Sequence, residues 1–117
     1  MDEGDIIDIL EIPVDSFETS NTLFDKFGLV SGDFLKTTMK KFHYEGLPLT
    51  PQDDSEASYC KKIDKTMGQL DFNKSAEELF YLWKGLTPWP SIWTMVEDKR
   101  FAIERCEYLP GISEAKV

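Results

Sequence analysis

The feature that most constrains this chain is a fifteen-residue stretch at 44–58, YEGLPLTPQDDSEAS. It holds Gly46, Pro48, Pro51 and four acids. Proline removes a backbone donor and glycine loosens φ, so neither a helix nor a central strand runs through it. A chain of 117 residues is thereby divided into two pieces, each small for a domain. The charge divides at the same place. Up to Ser58 there are 13 acidic and 4 basic residues, a balance of −9; from Tyr59 onward there are 9 of each. Repulsion argues against the first piece lying along a phosphate backbone, whereas the neutral second piece has room for a local basic patch.

Hydrophobic residues make up 41% and aromatics 13%, a globular composition rather than a disordered one. No stretch approaches the roughly 18 apolar residues of a membrane span. The first eight residues carry four acids and no base, which excludes a secretory signal there. Cys60 and Cys106 are isolated thiols with no CxxC spacing, the usage of a reducing compartment such as the cytosol.

Along the chain, IIDILEIPV predicts a strand over residues 5–12, closed by Pro13. Thr19 or Ser20 is the N-cap of a helix over 22–42, with Leu23, Phe27, Val30 and Phe34 at helical spacing and a bend near Gly32. In the second piece SYCKKI and QLDF read as short strands around a DKTMG turn. Ser75 and Glu78 form a capping box, and the helix they start ends before Pro88, with Leu79, Leu82, Trp83 and Leu86 as its stripe. SIWTMV and RFAIERCEYL form a hairpin joined at Glu97–Lys99, and PGISEAKV holds no evident element.

Catalytic signals are sparse. His43 is the only histidine, too little for a zinc site or a nucleophilic triad. No glycine-rich phosphate loop is present. Lys61, Lys62, Lys65, Lys84 and Arg100, interleaved with Trp83, Trp89 and Trp93, suit either a single-stranded nucleic-acid surface or a solvated face over a tryptophan-rich core. The tryptophans are assigned to core and hinge packing. The opening DEGD has hard-cation chemistry but no EF-hand spacing, so it reads as an acidic tail.

Taken as an ordered set, seven stretches are similar to methionyl-tRNA formyltransferases. Tyr59 to Ile63, Gly68 to Phe72, Ser75 to Leu79 and Thr87 to Pro90 resemble that family's Tyr-x-x-Lys-Ile, Gly-x-Leu-Asp-Phe, Ser-Ala-x-Glu-Leu and Asn-Pro-Trp-Pro segments, with Thr87 in place of the asparagine. Upstream, MDEGDII and ETSNTLFDKF resemble its Leu-Asp-Thr-Gly-Asp segment and the start of the helix after it, and Pro51 to Asp53 resembles its linker. The resemblance implies an α/β piece followed by an α+β piece. Residues 1–46 would be the last strand and helix of a Rossmann-like catalytic domain, 47–58 a linker, and 59–117 part of an OB-like barrel.

It further implies that Asp2 is the catalytic aspartate, supporting a histidine while an amine attacks the formyl group of 10-formyltetrahydrofolate. Initiator methionyl-tRNA is the implied partner, and Lys61, Lys62, Lys65, Lys84 and Arg100, if they share one face, would form a surface for it; metal and membrane are not expected. The family's Asn-x-His and His-x-Ser-Leu-Leu-Pro segments are absent here. The chain therefore reads as truncated at both ends, inactive alone, cytoplasmic (or in an organellar matrix), and in need of a complementary fragment. Two alternatives stay open: a nucleotide-amino-sugar N-formyltransferase fragment, favoured slightly by the acidic first half, and a free-standing acidic binding module, which needs a closed core.

Overall fold

Thr19 sets the first helix. Its hydroxyl accepts from the Thr22 backbone N–H at 3.4 Å, and its own N–H donates to the Thr22 hydroxyl at 2.9 Å. This reciprocal Thr-x-x-Thr cap satisfies two backbone donors that would otherwise lack partners. The helix it opens, α1, spans Ser20–Tyr44 and is assigned helical throughout, including Gly28 and Gly32. Lys41 and His43 in its last turn suit the negative end of the helix dipole. The computed structural model describes residues 3–109 and 111. After α1 come a 3-10 turn at Asp54–Glu56, a second at Lys65–Gly68, helix α2 at Ala76–Leu86, and strands β1 at Ile92–Val96 and β2 at Lys99–Ile103. They fall into two compact units, Met1–Asp15 with Phe24–Lys61 and Ser16–Leu23 with Lys62–Val117.

In the first unit the predicted strand over 5–12 is reduced to one antiparallel bridge, Ile6 with Thr50. Its two backbone bonds are 2.8 and 3.0 Å. The reason lies in the partner segment. The next hydrogen-bonded pair on one side would be Asp8 with Pro48, and Pro48 has no N–H to give. On the other side the Gln52 side-chain amide, not the backbone, donates to the Gly4 carbonyl at 2.6 Å. Polar contacts take over from the ladder. Thr38, the buried residue of α1, donates to the Asp8 carboxylate at 2.9 Å, and Lys26 pairs with Asp15 at 3.9 Å. Apolar side chains of this unit stay open, with Ile9 68%, Phe24 80% and Leu29 84% exposed.

The second unit has the buried core. Leu79 and Leu86 of α2 and Ile92 of β1 are its buried hydrophobic side chains. Ser75 caps α2 as the sequence predicts: its hydroxyl accepts from the Glu78 N–H at 3.2 Å, and the Glu78 carboxylate accepts from the Ser75 N–H at 2.9 Å. Truncating Ser75→Ala is expected to cost about 1 kcal/mol, read as a lower urea midpoint at unchanged slope. The helix ends at Leu86, and the Thr87 hydroxyl donates back to the Trp83 carbonyl at 2.7 Å. Ser16–Leu23 is fastened to this end by Lys84, which donates to the Ser16 carbonyl at 2.8 Å, and by the Ser20 hydroxyl, which donates to the Thr87 carbonyl.

β1 and β2 pair antiparallel from Ile92↔Ile103 to Val96↔Lys99 around a two-residue loop, Glu97 and Asp98. The second strand is shorter than RFAIERCEYL suggests. Ser91 has φ of 67°, so the chain before Ile92 turns away, and the described residues after Ile103 find no strand beside them. QLDF contributes one parallel bridge, Gln69 with Trp93, in which the Leu70 N–H donates to the Trp93 carbonyl at 2.8 Å. SYCKKI forms no strand, and DKTMG becomes a 3-10 turn because the Asp64 carboxylate captures the Thr66 N–H at 2.7 Å.

Candidate functional site

The hairpin register decides which side chains share a face. Ile92 and Thr94 are buried, so Trp93 and Met95 of β1 and Arg100 and Ala102 of β2 lie on the opposite face. Across that face Arg100 is the diagonal neighbour of Trp93, and its guanidinium carbon sits 4.3 Å from the Trp93 ring centre. The indole N–H donates to the Lys65 carbonyl at 3.0 Å. Gly68 permits this arrangement: a Cβ there would lie 2.0 Å from the Ser91 carbonyl oxygen and 3.2 Å from Trp93 Cδ1. Lys65, Gly68, Trp93 and Arg100 thus form one assembly.

The other predicted residues are placed as follows. Asp2 lies outside the described residues. Lys61 and Lys62 are exposed in irregular backbone, Lys61 within the first unit and Lys62 within the second. Lys84 has contacts of its own: besides the Ser16 carbonyl, its ammonium is 5.7 and 5.5 Å from the Phe80 and Tyr81 ring centres. Trp83 packs as expected, stacked 5.7 Å from Phe80 with its N–H donating to the Glu104 carbonyl at 3.4 Å. Trp89 does not: it is 55% exposed, so its assignment to the core is corrected. It stands between two cis prolyl bonds, in backbone that belongs to no element. The role of Trp93 was legible only through the hairpin, since a turn at 97–98 places it diagonally opposite Arg100. No group of three or more His, Cys, Asp or Glu side chains among the described residues is placed to hold a metal ion. No helix of the described residues is long and apolar enough to cross a membrane.

Several carboxyls are held below their usual range by local hydrogen bonds. Asp64 is lowered by the Thr66 hydroxyl and then its N–H, Asp71 by the Asn73 N–H and then its side chain, and Glu78 by the Ser75 N–H and then its hydroxyl. Burial raises the Cys106 thiol, with the Glu107 charge adding to it. A depressed carboxyl contributes stability above its ordinary value and loses it as pH falls through the lower folded value. The Glu78 contribution is therefore complete above about 4.5 and disappears in more acid solution. Glu78→Gln is expected to be less stable than the parent at pH 7, with the difference narrowing below pH 4 in acid titrations followed by circular dichroism.

A short α2 capped by Ser-Ala-x-Glu, the Gly68 approach and the hairpin after Pro-Trp-Pro define a class. Residues 62–116 match the family described as formyl transferase, C-terminal domain. Similarity extends through the first unit as well. The methionyl-tRNA formyltransferase of Lachnospira eligens is 37% identical over 116 residues, 99% of this chain and 37% of that protein. Those of Halothermothrix orenii and Streptococcus equi subsp. equi are 36% and 31% identical over 87% and 98% of the chain. The chain is similar to one part of methionyl-tRNA formyltransferases, and it spans about a third of the length of the curated relatives it matches.

Proposed function

We propose that this chain is part of an enzyme that moves a formyl group from 10-formyltetrahydrofolate to the amino group of initiator methionyl-tRNA in the cytoplasm. The observation that carries this reading is similarity to methionyl-tRNA formyltransferases along 99% of the chain. In that enzyme 1–46 would complete a Rossmann-like catalytic domain and 59–117 begin an OB-like barrel, joined by 47–58. Asp2 would accept a hydrogen bond from a histidine supplied elsewhere in the enzyme, holding its tautomer and stabilising its protonated form. The amine nitrogen would bond to the formyl carbon, and the folate nitrogen would leave with a proton. Lys61, Lys62, Lys65, Lys84 and Arg100 are proposed to face the tRNA.

The exposed Ile9, Phe24 and Leu29 fit a unit that is covered by the remainder of such an enzyme rather than a free-standing binding module with a closed core. The amino-sugar alternative is less favoured, because the relatives described above are named for methionyl-tRNA. The test is a chimera in which these 117 residues replace the aligned part of the Lachnospira eligens enzyme. It is expected to formylate initiator methionyl-tRNA. A folded chimera with no turnover overturns the proposal.

A further inference from the structure

We infer that Trp93 is a positioning residue that holds Arg100 ready as a contact for an RNA phosphate. The inference rests on the proposed tRNA partner and adds to it a division of labour that a list of basic residues does not contain. Arginine ordinarily loses much side-chain freedom when it binds. Here part of that ordering exists in the free protein. The guanidinium lies 4.3 Å over an indole whose own orientation is set by the N–H bond to Lys65 and the contact above Gly68. A flat cation over a π-face keeps its edge donors outward, the geometry suited to a phosphate oxygen pair.

The remaining charges make Arg100 stand out. Arg105 is paired with Glu107 at 3.0 Å, and Lys84 donates to the Ser16 carbonyl at 2.8 Å. Among the described residues no carboxylate pairs with Arg100, which is exposed on the hairpin. Glu97 and Asp98 in the adjoining loop offset Lys99 and Arg100, so long-range attraction at this face is weak. A contact made here depends on geometry more than on bulk charge.

The experiment measures binding of initiator tRNA to the full 117-residue chain as a function of KCl, with thermal unfolding of each variant recorded alongside. Arg100→Ala is expected to weaken binding about tenfold and to lower the slope of log K against log salt by about 0.7–0.9, the signature of one lost phosphate. Arg100→Lys is expected to keep the slope and lose severalfold in affinity. Trp93→Phe should weaken binding with the slope unchanged, and should have no further effect in the Arg100→Ala background. A purely structural role for Trp93 would instead give additive losses, and that result overturns the inference. So does an Arg100→Ala variant that binds like the parent. Failure of the parent chain to bind tRNA even at roughly 50 mM salt overturns the tRNA reading itself, and the inference with it.

Discussion

Gly68→Ala is expected to destabilise the second unit by about 3 kcal/mol, among the larger penalties for overpacking. A methyl group there would sit 2.0 Å from the Ser91 carbonyl oxygen and 3.2 Å from the carbonyl carbon, both of them backbone. Backbone cannot rotate aside as a side-chain tip can. The 3-10 turn at 65–68 and the start of β1 must separate, and the bonds from Leu70 to the Trp93 carbonyl and from the Trp93 indole to Lys65 go with them. The loss should appear as a fall of roughly 10–20 °C in the thermal midpoint, followed by tryptophan near-ultraviolet dichroism. Gly85→Ala supplies the control of opposite sign. Gly85 lies inside α2 with nothing within 4 Å of the added methyl, so alanine should stabilise by about 1 kcal/mol. A Gly68→Ala midpoint within about 2 °C of the parent would show that the close approach is not required.

The second large effect is chemical. In the chimera, Asp2→Asn is expected to lower kcat by about a thousandfold or more while the KM for tRNA changes little. An amide of the same shape cannot carry the negative charge that stabilises an imidazolium, and it can impose the wrong tautomer. A polypeptide of the 117 residues alone is expected to show no turnover, because its one histidine, His43, lies in the last turn of α1 and the histidine of the proposed mechanism is supplied elsewhere in the enzyme. A loss smaller than about tenfold for Asp2→Asn would remove Asp2 from the catalytic machinery.

Local signals in the sequence were reliable where the physics is local. The Ser75–Glu78 box, the Thr19 cap, the stop before Pro88 and the turn between SIWTM and RFAI each involve residues within four positions of one another, and each is found in the structure. The expected strands over 5–12 and QLDF are each reduced to one bridge, and SYCKKI forms none. A strand exists only if another segment supplies donors and acceptors in register, and Pro48 withholds one of them beside Asp8. Trp89 was misread because aromatic character alone does not say whether a neighbour arrives to cover it.

The sequence by itself determined the likeness to methionyl-tRNA formyltransferases, through the order of its short motifs, and the helices, through caps and periodicity that operate within a turn. Tertiary structure alone decided which edges pair, which tryptophan is exposed, and that Arg100 rests on Trp93. Those outcomes depend on where distant backbone comes to lie, as when Gly68 lets the turn at 65–68 approach Ser91, and no neighbouring residue in the chain encodes that distance.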